Sequence, residues 1–264
     1  MGNTAASLEG RVACITGGTR SIGRGIAEAL LGRGASVVVN GRDAEKGQRC
    51  LDEMGAGDRA SFFAGDAAKQ ADVEALVDHT IERYGQLDIC VLNSGGVAAT
   101  APVHLMTDEE WTLEVDWNLN HVFWGMRRAL QHMIPRGSGR ILVTSSVEGK
   151  LGKPGLPGYV ATKHAVNGLV KAAAHEVGTL GITINAILPG LVETDIVQAT
   201  GPASATAMGL DSYEALLDLF AQESALKRLN TAAEVGAVAA FLASDAARNM
   251  TGCLFPVDGG TMPY

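Results

Sequence analysis

Short apolar runs alternate with stretches of helical period along the whole chain. Seven runs read as buried strands: Arg11–Thr16, Ser36–Asn40, Ala60–Ala64, Asp88–Leu92, Arg140–Thr144, Thr183–Ile187 and Cys253–Val257. Between them, Ile22, Ile26, Ala29 and Leu30 fall on one helical stripe, Lys69–Tyr84 forms another helix, and Ala161, Ala165, Leu169 and Val170 continue a third to about Leu180. Asp43 has the form of a helix N-cap. Thr107-Asp108-Glu109-Glu110 is a capping box that opens a long helix reaching about Arg136, and Thr231-Ala232-Ala233-Glu234 opens a further helix over Val235–Ala243. Strands and helices in strict alternation predict an α/β fold: a doubly wound, about seven-stranded parallel sheet with helices on both faces. No repeat, low-complexity tract or linker interrupts the pattern, so residues 1–264 read as a single domain.

Composition narrows the classes of function. The chain has 264 residues, 47% hydrophobic and 19% charged, enough for one large core. A formal charge of −8 argues against a nucleic-acid surface or a polybasic membrane patch. No apolar run reaches about 18 residues, and the start lacks the basic and apolar segments of a signal peptide. Met1-Gly2 opens like an acylation site, but Ala6 stands where Ser or Thr is wanted. Cys14, Cys50, Cys90 and Cys253 are scattered, and the six histidines do not cluster. A reduced cytoplasmic protein without a structural metal is expected.

The first strand runs into Gly17-Gly18-Thr19-Arg20-Ser21-Ile22-Gly23 and then a helix. A glycine turn there offers backbone N–H groups and the positive end of a helix to a phosphate, the arrangement of a dinucleotide site. In NAD-binding proteins of this architecture an acid ends the second strand and holds the ribose 2′-hydroxyl. Here the strand ends in Asn40-Gly41-Arg42, without a carboxylate. Arg42, and Arg20 in the glycine turn, suit a 2′-phosphate instead, so NADP(H) is favoured over NAD(H). Asp66 ends the third strand, where its side chain either reaches an adenine or caps a helix. Asn93-Ser94-Gly95-Gly96 turns away from the fourth, with small residues that let a cofactor approach the backbone.

The chemistry lies in the second half. Ser145-Ser146 stands at the carboxyl end of the fifth strand, the ligand-binding edge of a parallel sheet. Tyr159-Val160-Ala161-Thr162-Lys163 puts a phenol and an amine on one helix face, and a fixed cation favours the phenolate. Such a pair can exchange a proton with a carbonyl or hydroxyl oxygen. Asn118 sits on an apolar stretch of the long helix, among Trp117, Leu119 and Phe123, and requires a buried partner.

Together these residues resemble a short-chain dehydrogenase/reductase of the single-domain Rossmann kind. Thr16-Gly17-x-x-x-Ser21-Ile22-Gly23, Asp66, Asn93-Ser94-Gly95, Asn118, Ser146, Tyr159-x-x-x-Lys163, Pro189-Gly190 and Val257-Asp258-Gly259-Gly260 carry the resemblance, in the family's order and spacing. It implies a cofactor half of about 8–136 and a catalytic half of about 137–264. Tyr159 would be the acid in reduction and the base in oxidation. Ser146 would hold the substrate oxygen, Lys163 would lower the tyrosine pKa and bind the nicotinamide ribose, and Asn118 would hold a water of a proton relay. Gly17, Thr19, Ser21, Ile22 and Gly23 would cradle the pyrophosphate, with Arg20, Asn40, Arg42, Asp66, Asn93 and Gly95 around the adenosine half. Pro189, Gly190, Val192 and Thr194 would lie beside the nicotinamide. Proteins of this kind usually form tetramers through their long helices and last strand, so a homotetramer, or a dimer, is expected. There are departures: Ser21 stands where a glycine is usual, and Leu92 and Ser94 replace an asparagine and an alanine.

Residues 191–228 read as a substrate lid without a strand: an Ala/Thr/Gly-rich piece at 199–209, then an amphipathic piece at Tyr213–Phe220. Ile196, Val197, Met208, Leu210, Leu216 and Phe220 either line an apolar pocket or pack on the sheet, with Val97, Val147 and Leu151 as an opposite wall. The substrate expected is a ketone or secondary alcohol of modest polarity. The alternatives are a 3-oxoacyl carrier-protein reductase, with Arg127, Arg128 and Arg136 as a docking patch, and a non-catalytic NADP-binding regulator.

Overall fold

The computed structural model describes residues 6–262, so the Met1-Gly2 opening and the Pro263-Tyr264 tail lie outside it. The strands are β1 (Val12–Ile15), β2 (Ser36–Gly41), β3 (Ala60–Ala64), β4 (Ile89–Leu92), β5 (Gly139–Thr144), β6 (Ile182–Pro189) and β7 (Leu254–Val257). All pair in parallel, in the order β3-β2-β1-β4-β5-β6-β7. The order reverses between β1 and β4, so a crevice opens between the turns that leave these two strands, where ligands of doubly wound sheets bind.

The helices are α1 (Ser21–Gly32), α2 (Ala44–Met54), α3 (Gln70–Tyr84), α4 (Asp108–Val115), α5 (His121–Arg136), α6 (Pro157–Val177), α7 (Asp195–Ala207), α8 (Tyr213–Glu223) and α9 (Ala232–Leu242). Apolar stripes divide them between the two faces of the sheet. Ile26 and Leu30 of α1 and Val235, Ala239 and Leu242 of α9 bury one face. Leu76 and Val77 of α3, Met126 and Met133 of α5, and Val166 and Val170 of α6 bury the other. Local chemistry sets the helix starts. Asp43 accepts the Lys46 N–H at 3.0 Å, and Thr107 and Thr231 each complete a capping box with a glutamate three residues on. No described helix is long and apolar enough to cross a membrane.

Two elements depart from the sequence pattern. The expected long helix from Thr107 to Arg136 is interrupted by a π-helical turn, Asp116–Asn120, with Asn118 inside it. Such turns widen the backbone ladder to place a side chain. The Ala/Thr/Gly-rich lid segment forms helix α7, although it contains Gly201 and Pro202. Thr194 caps it by accepting the Val197 N–H at 3.3 Å, and Gly201 leaves room for the Tyr213 ring of α8. Val192, at the start of the lid, makes a parallel bridge to Asn230 just beyond its end.

Candidate active site

The glycine turn after β1 is held from below by two asparagines. Asn40 is buried, accepts the Gly17 N–H at 3.4 Å and donates to the Phe63 and Gly65 carbonyls at 3.2 and 2.9 Å. Asn93 donates to the Thr16 and Gly17 carbonyls at 3.2 and 3.3 Å and accepts from the Thr144 hydroxyl at 3.0 Å. Both side chains are therefore committed to the protein: they shape the crevice rather than offering free polar groups to a nucleotide. Asp66 turns one carboxylate oxygen onto the Ala68 N–H at 3.1 Å, a local turn bond, and it does not cap α3. The positive-φ Gly95, on the other rim, has no room for a side chain, since a Cβ there would stand 2.6 Å from the Asn118 oxygen.

The crevice fits a dinucleotide. The first turn of α1 carries no acidic residue, and no side chain caps its N-terminus, so its N–H groups and dipole are left for an anion. The Ser21 hydroxyl at the same point is buried without a partner. Arg20, next to Ser21 in the turn, and Arg42, after β2, are both exposed; Arg20 lies 3.8 Å from Asp195 at the start of α7. Ile22 packs into the core at the helix start, Thr19 abuts Gly41 at the end of β2, and Gly190, Val192 and Thr194 lead out of β6 beyond the buried Pro189.

Ser21 adopts φ +52, a left-handed conformation that strains any residue with a Cβ. Ser21→Gly is expected to stabilise the protein by about 1 kcal/mol, the relief of that strain less the extra freedom of the unfolded glycine. A lower denaturant midpoint in Ser21→Gly would refute this.

The reactive residues come from three elements. Ser146 follows β5 and heads a 3-10 turn, Val147–Gly149; Tyr159 and Lys163 lie in the first turns of α6; Asn118 comes from the π turn. Lys163 is 2% exposed and donates to the Thr144 carbonyl at 3.0 Å, with its nitrogen 5.4 Å from the centre of the Tyr159 ring. Asn118 has the buried partners that its position demanded. It accepts from the Gly96 N–H at 3.0 Å and donates to the Gly96 carbonyl at 2.9 Å and to the Glu114 carboxylate at 2.7 Å.

Burial dominates the electrostatics of the Tyr159–Lys163 pair. The Tyr159 phenol is only half-exposed, and burial pushes its pKa above the usual value, helped by Glu148 and Glu114, while Ser146 pulls the other way. Burial holds the Lys163 ammonium at about 8, against the pull of Glu114 and Glu148. The unfolded chain binds this proton at a pH where the folded chain does not, so stability should rise with pH between 8 and 10.5. The Lys163 contribution amounts to about 2 kcal/mol between about pH 7 and about pH 9.5. In urea titrations without cofactor, wild type should gain this much on Lys163→Met over that interval. Parallel curves would exclude the depressed lysine.

Three titratable residues at this site have no signal in the periodic pattern. Glu114 is fully buried and accepts from the Ala98 and Ala99 N–H groups at 2.7 and 3.3 Å, which ties the segment after β4 to α4. Burial raises its pKa, while those two N–H groups and Lys163 lower it. Glu148 accepts a short hydrogen bond from Ser146. His121 is fully buried with neither ring nitrogen hydrogen-bonded, and burial, aided by Lys163, lowers its pKa to about 3, so it is neutral. A cavity of about 670 Å³ lined by Arg140, Thr183, Arg248 and Thr251 opens at the amino ends of β5 and β6, the opposite edge of the sheet. The walls expected around the substrate are only partly found. Val147 and Leu216 are buried, Met208 is exposed, and Ile196, Val197, Leu210 and Phe220 are half-buried.

Residues 11–205 match the family described as short chain dehydrogenase. The chain belongs to that family. As a short-chain dehydrogenase it is an oxidoreductase acting on CH–OH and C=O groups. It is similar to the D-beta-hydroxybutyrate dehydrogenase of Cupriavidus necator, 35% identical over 96% of this chain and 98% of the relative. It is also similar to the 3-oxoacyl-[acyl-carrier-protein] reductase of Salmonella typhimurium, 33% identical over 96% of this chain and 98% of that one. Among solved structures, a variant of actinorhodin polyketide ketoreductase with NADPH superposes with a TM-score of 0.91 at 33% identity, covering 96% of this short-chain dehydrogenase and 98% of the ketoreductase.

Proposed function

We propose that the protein is an NADP(H)-dependent reductase of small ketones of modest polarity, and in reverse a dehydrogenase of secondary alcohols, with Tyr159 as the general acid and base. One observation carries the reading: Ser146, Tyr159 and Lys163 converge at the carboxyl ends of β5 and α6's first turns, on the same sheet edge as a crevice fitted for a dinucleotide. The bound cofactor supplies or takes the hydride. Ser146 and Tyr159 hold the substrate oxygen, and the phenol gives it a proton on reduction and removes one on oxidation. Burial keeps the Tyr159 phenol protonated, the form from which reduction starts. Lys163 lies where it can also hold the nicotinamide ribose, and Asn118, through Gly96 and Glu114, fixes the wall beside it. Gly17, Ser21 and Gly23 would take the pyrophosphate.

The absence of a carboxylate at the end of β2, with Arg20 and Arg42 exposed nearby, supports NADP(H) over NAD(H). The NADPH-bound ketoreductase supports it further. The carrier-protein reductase reading draws on the Salmonella relative, but the docking arginines are already neutralised. Arg127 pairs with Glu74 at 2.6 Å, Arg128 with Asp78 at 2.7 Å and Arg136 with Asp88 at 3.0 Å. A non-catalytic regulator has no use for the Ser146, Tyr159 and Lys163 set. Trp111, Leu113, Phe123 and Ile134 expose apolar surface on α4 and α5, which supports assembly through these helices as a tetramer or dimer. Free thiols throughout, with the Cys14 and Cys90 sulfurs 3.6 Å apart, support a cytoplasmic setting.

The test is NADPH against NADH oxidation over cyclic, aryl and acyl-thioester ketones. Faster turnover with NADPH, with a higher NADPH KM in Arg20→Ala and Arg42→Ala, is expected. A clear preference for NADH would remove the role of the two arginines.

A further inference from the structure

Glu148 stands in the reactive site itself. It lies two residues after Ser146 in the turn that closes β5, half-buried, and its carboxylate accepts the Ser146 hydroxyl proton in a short hydrogen bond. The turn does not need that carboxylate. Its cap is the reverse bond, from the Glu148 backbone N–H to the Ser146 oxygen at 3.3 Å, which any residue at this position would make. Glu148 also acts on both neighbouring groups, raising the Tyr159 phenol and opposing the loss of the Lys163 proton.

A hydroxyl carries one proton to donate. Ser146 gives it to Glu148, so a plain ketone arriving at Ser146 meets an oxygen that is already spent as a donor. A substrate with its own O–H or N–H beside the carbonyl removes the conflict. That group donates to Glu148, and Ser146 turns its proton to the carbonyl oxygen. Charge points the same way. Glu114 and Glu148 bring two carboxylates to the site against the single ammonium of Lys163, which is already bonded to the Thr144 carbonyl. A substrate carboxylate next to the carbonyl would enter without a partner.

We propose that Glu148 selects the substrate: ketones bearing a hydroxyl or ammonium on the carbon next to the carbonyl, and in reverse vicinal diols and amino alcohols, with ketones carrying a carboxylate there rejected. This rests on the reductase reading above. Glu148 transfers nothing; the hydride goes to the carbonyl carbon and the Tyr159 proton to its oxygen.

The experiment compares butanone, acetoin, aminoacetone and α-ketobutyrate at saturating NADPH, with wild type, Glu148→Gln and Glu148→Val. Wild type should favour acetoin and aminoacetone over butanone by about tenfold or more in kcat/KM, chiefly through KM, as befits a hydrogen bond to a charged acceptor. α-Ketobutyrate should be the poorest. In Glu148→Val the preference should fall to about unity while butanone improves, because Ser146 is released. Glu148→Gln, which keeps an acceptor but no charge, should retain part of the acetoin preference, lose that for aminoacetone and accept α-ketobutyrate better. Unfolding temperature with NADPH reports folding of each variant, and Glu148→Gln carries the test if the valine variant does not fold. Turnover with ratios unchanged in the variants, or a wild-type preference for α-ketobutyrate, overturns the inference and leaves the reductase standing. No turnover of any ketone, in this set or in the wider panel, sinks the reductase reading and the inference with it.

Discussion

Tyr159→Phe is expected to lower ketone reduction about 10³-fold while leaving NADPH affinity and unfolding temperature close to wild type. The substitution removes one oxygen and keeps the ring, so the packing of α6 against the rest of the site is preserved. What is lost is the proton donor. Positioned acid–base groups contribute about 10²- to 10⁴-fold, and the Ser146 hydroxyl, engaged with Glu148, is not placed to replace the phenol. Burial, Glu148 and Glu114 all favour the protonated phenol in the cofactor-free protein. Reduction should therefore persist well into alkaline pH, since the acid stays charged with its proton. Oxidation should climb with pH over the same range, because it requires the phenolate. Steady-state rates in both directions, with NADPH binding followed by fluorescence, test this. A Tyr159→Phe rate within about tenfold of wild type would place the proton donor elsewhere.

Strand positions were legible because a strand covered on both faces is apolar at successive residues, as Val37–Val39 and Ile89–Leu92 are. The parallel order followed from their alternation with helices. Ser146, Tyr159 and Lys163 were legible for a related reason: in a parallel sheet, the residues just after the strands and at the next helix starts share one edge. Where partners lie far apart in sequence, the pattern was silent. Asn40 and Asn93 were readable as polar residues at strand ends, yet their bonds to Gly65, Gly17 and Thr144 span other elements. Glu114 looked like one more acid on a helix rich in them; its burial comes from the Ala98–Ala99 segment folding over it. Helix α7 was hidden because Ala, Thr and Gly leave no stripe, and its order comes from the Thr194 cap and from α8. How burial and the neighbouring carboxyl groups act on Tyr159 and Lys163 is likewise absent from the four-residue spacing.

Gly23→Ala should abolish nucleotide binding and destabilise the protein by at least about 3 kcal/mol, the upper part of the range for overpacking a closed site. An added Cβ would stand 2.1 Å from the Gly17 carbonyl oxygen and 2.6 Å from the Asn93 amide nitrogen. Neither atom has freedom to retreat. The Gly17 oxygen accepts from Asn93 at 3.3 Å, and Asn93 is fastened in turn to Thr144 at 3.0 Å, the residue whose carbonyl accepts the Lys163 hydrogen bond. Relief by moving the turn would therefore pull on β5 and loosen Lys163 as well as spoiling the N-terminus of α1. Relief by moving α1 would unpack Ile26 and Leu30 from the core. Either way the crevice between β1 and β4 changes shape. Chemical denaturation and NADPH fluorescence titration of Gly23→Ala separate the two effects, and the neighbouring Ser21→Gly supplies a contrast, since it removes a Cβ at the same turn and should move stability the opposite way. Undiminished NADPH affinity in Gly23→Ala would mean that the turn after β1 is not the phosphate cradle, and the dinucleotide would have to be sought away from the switch point of the sheet.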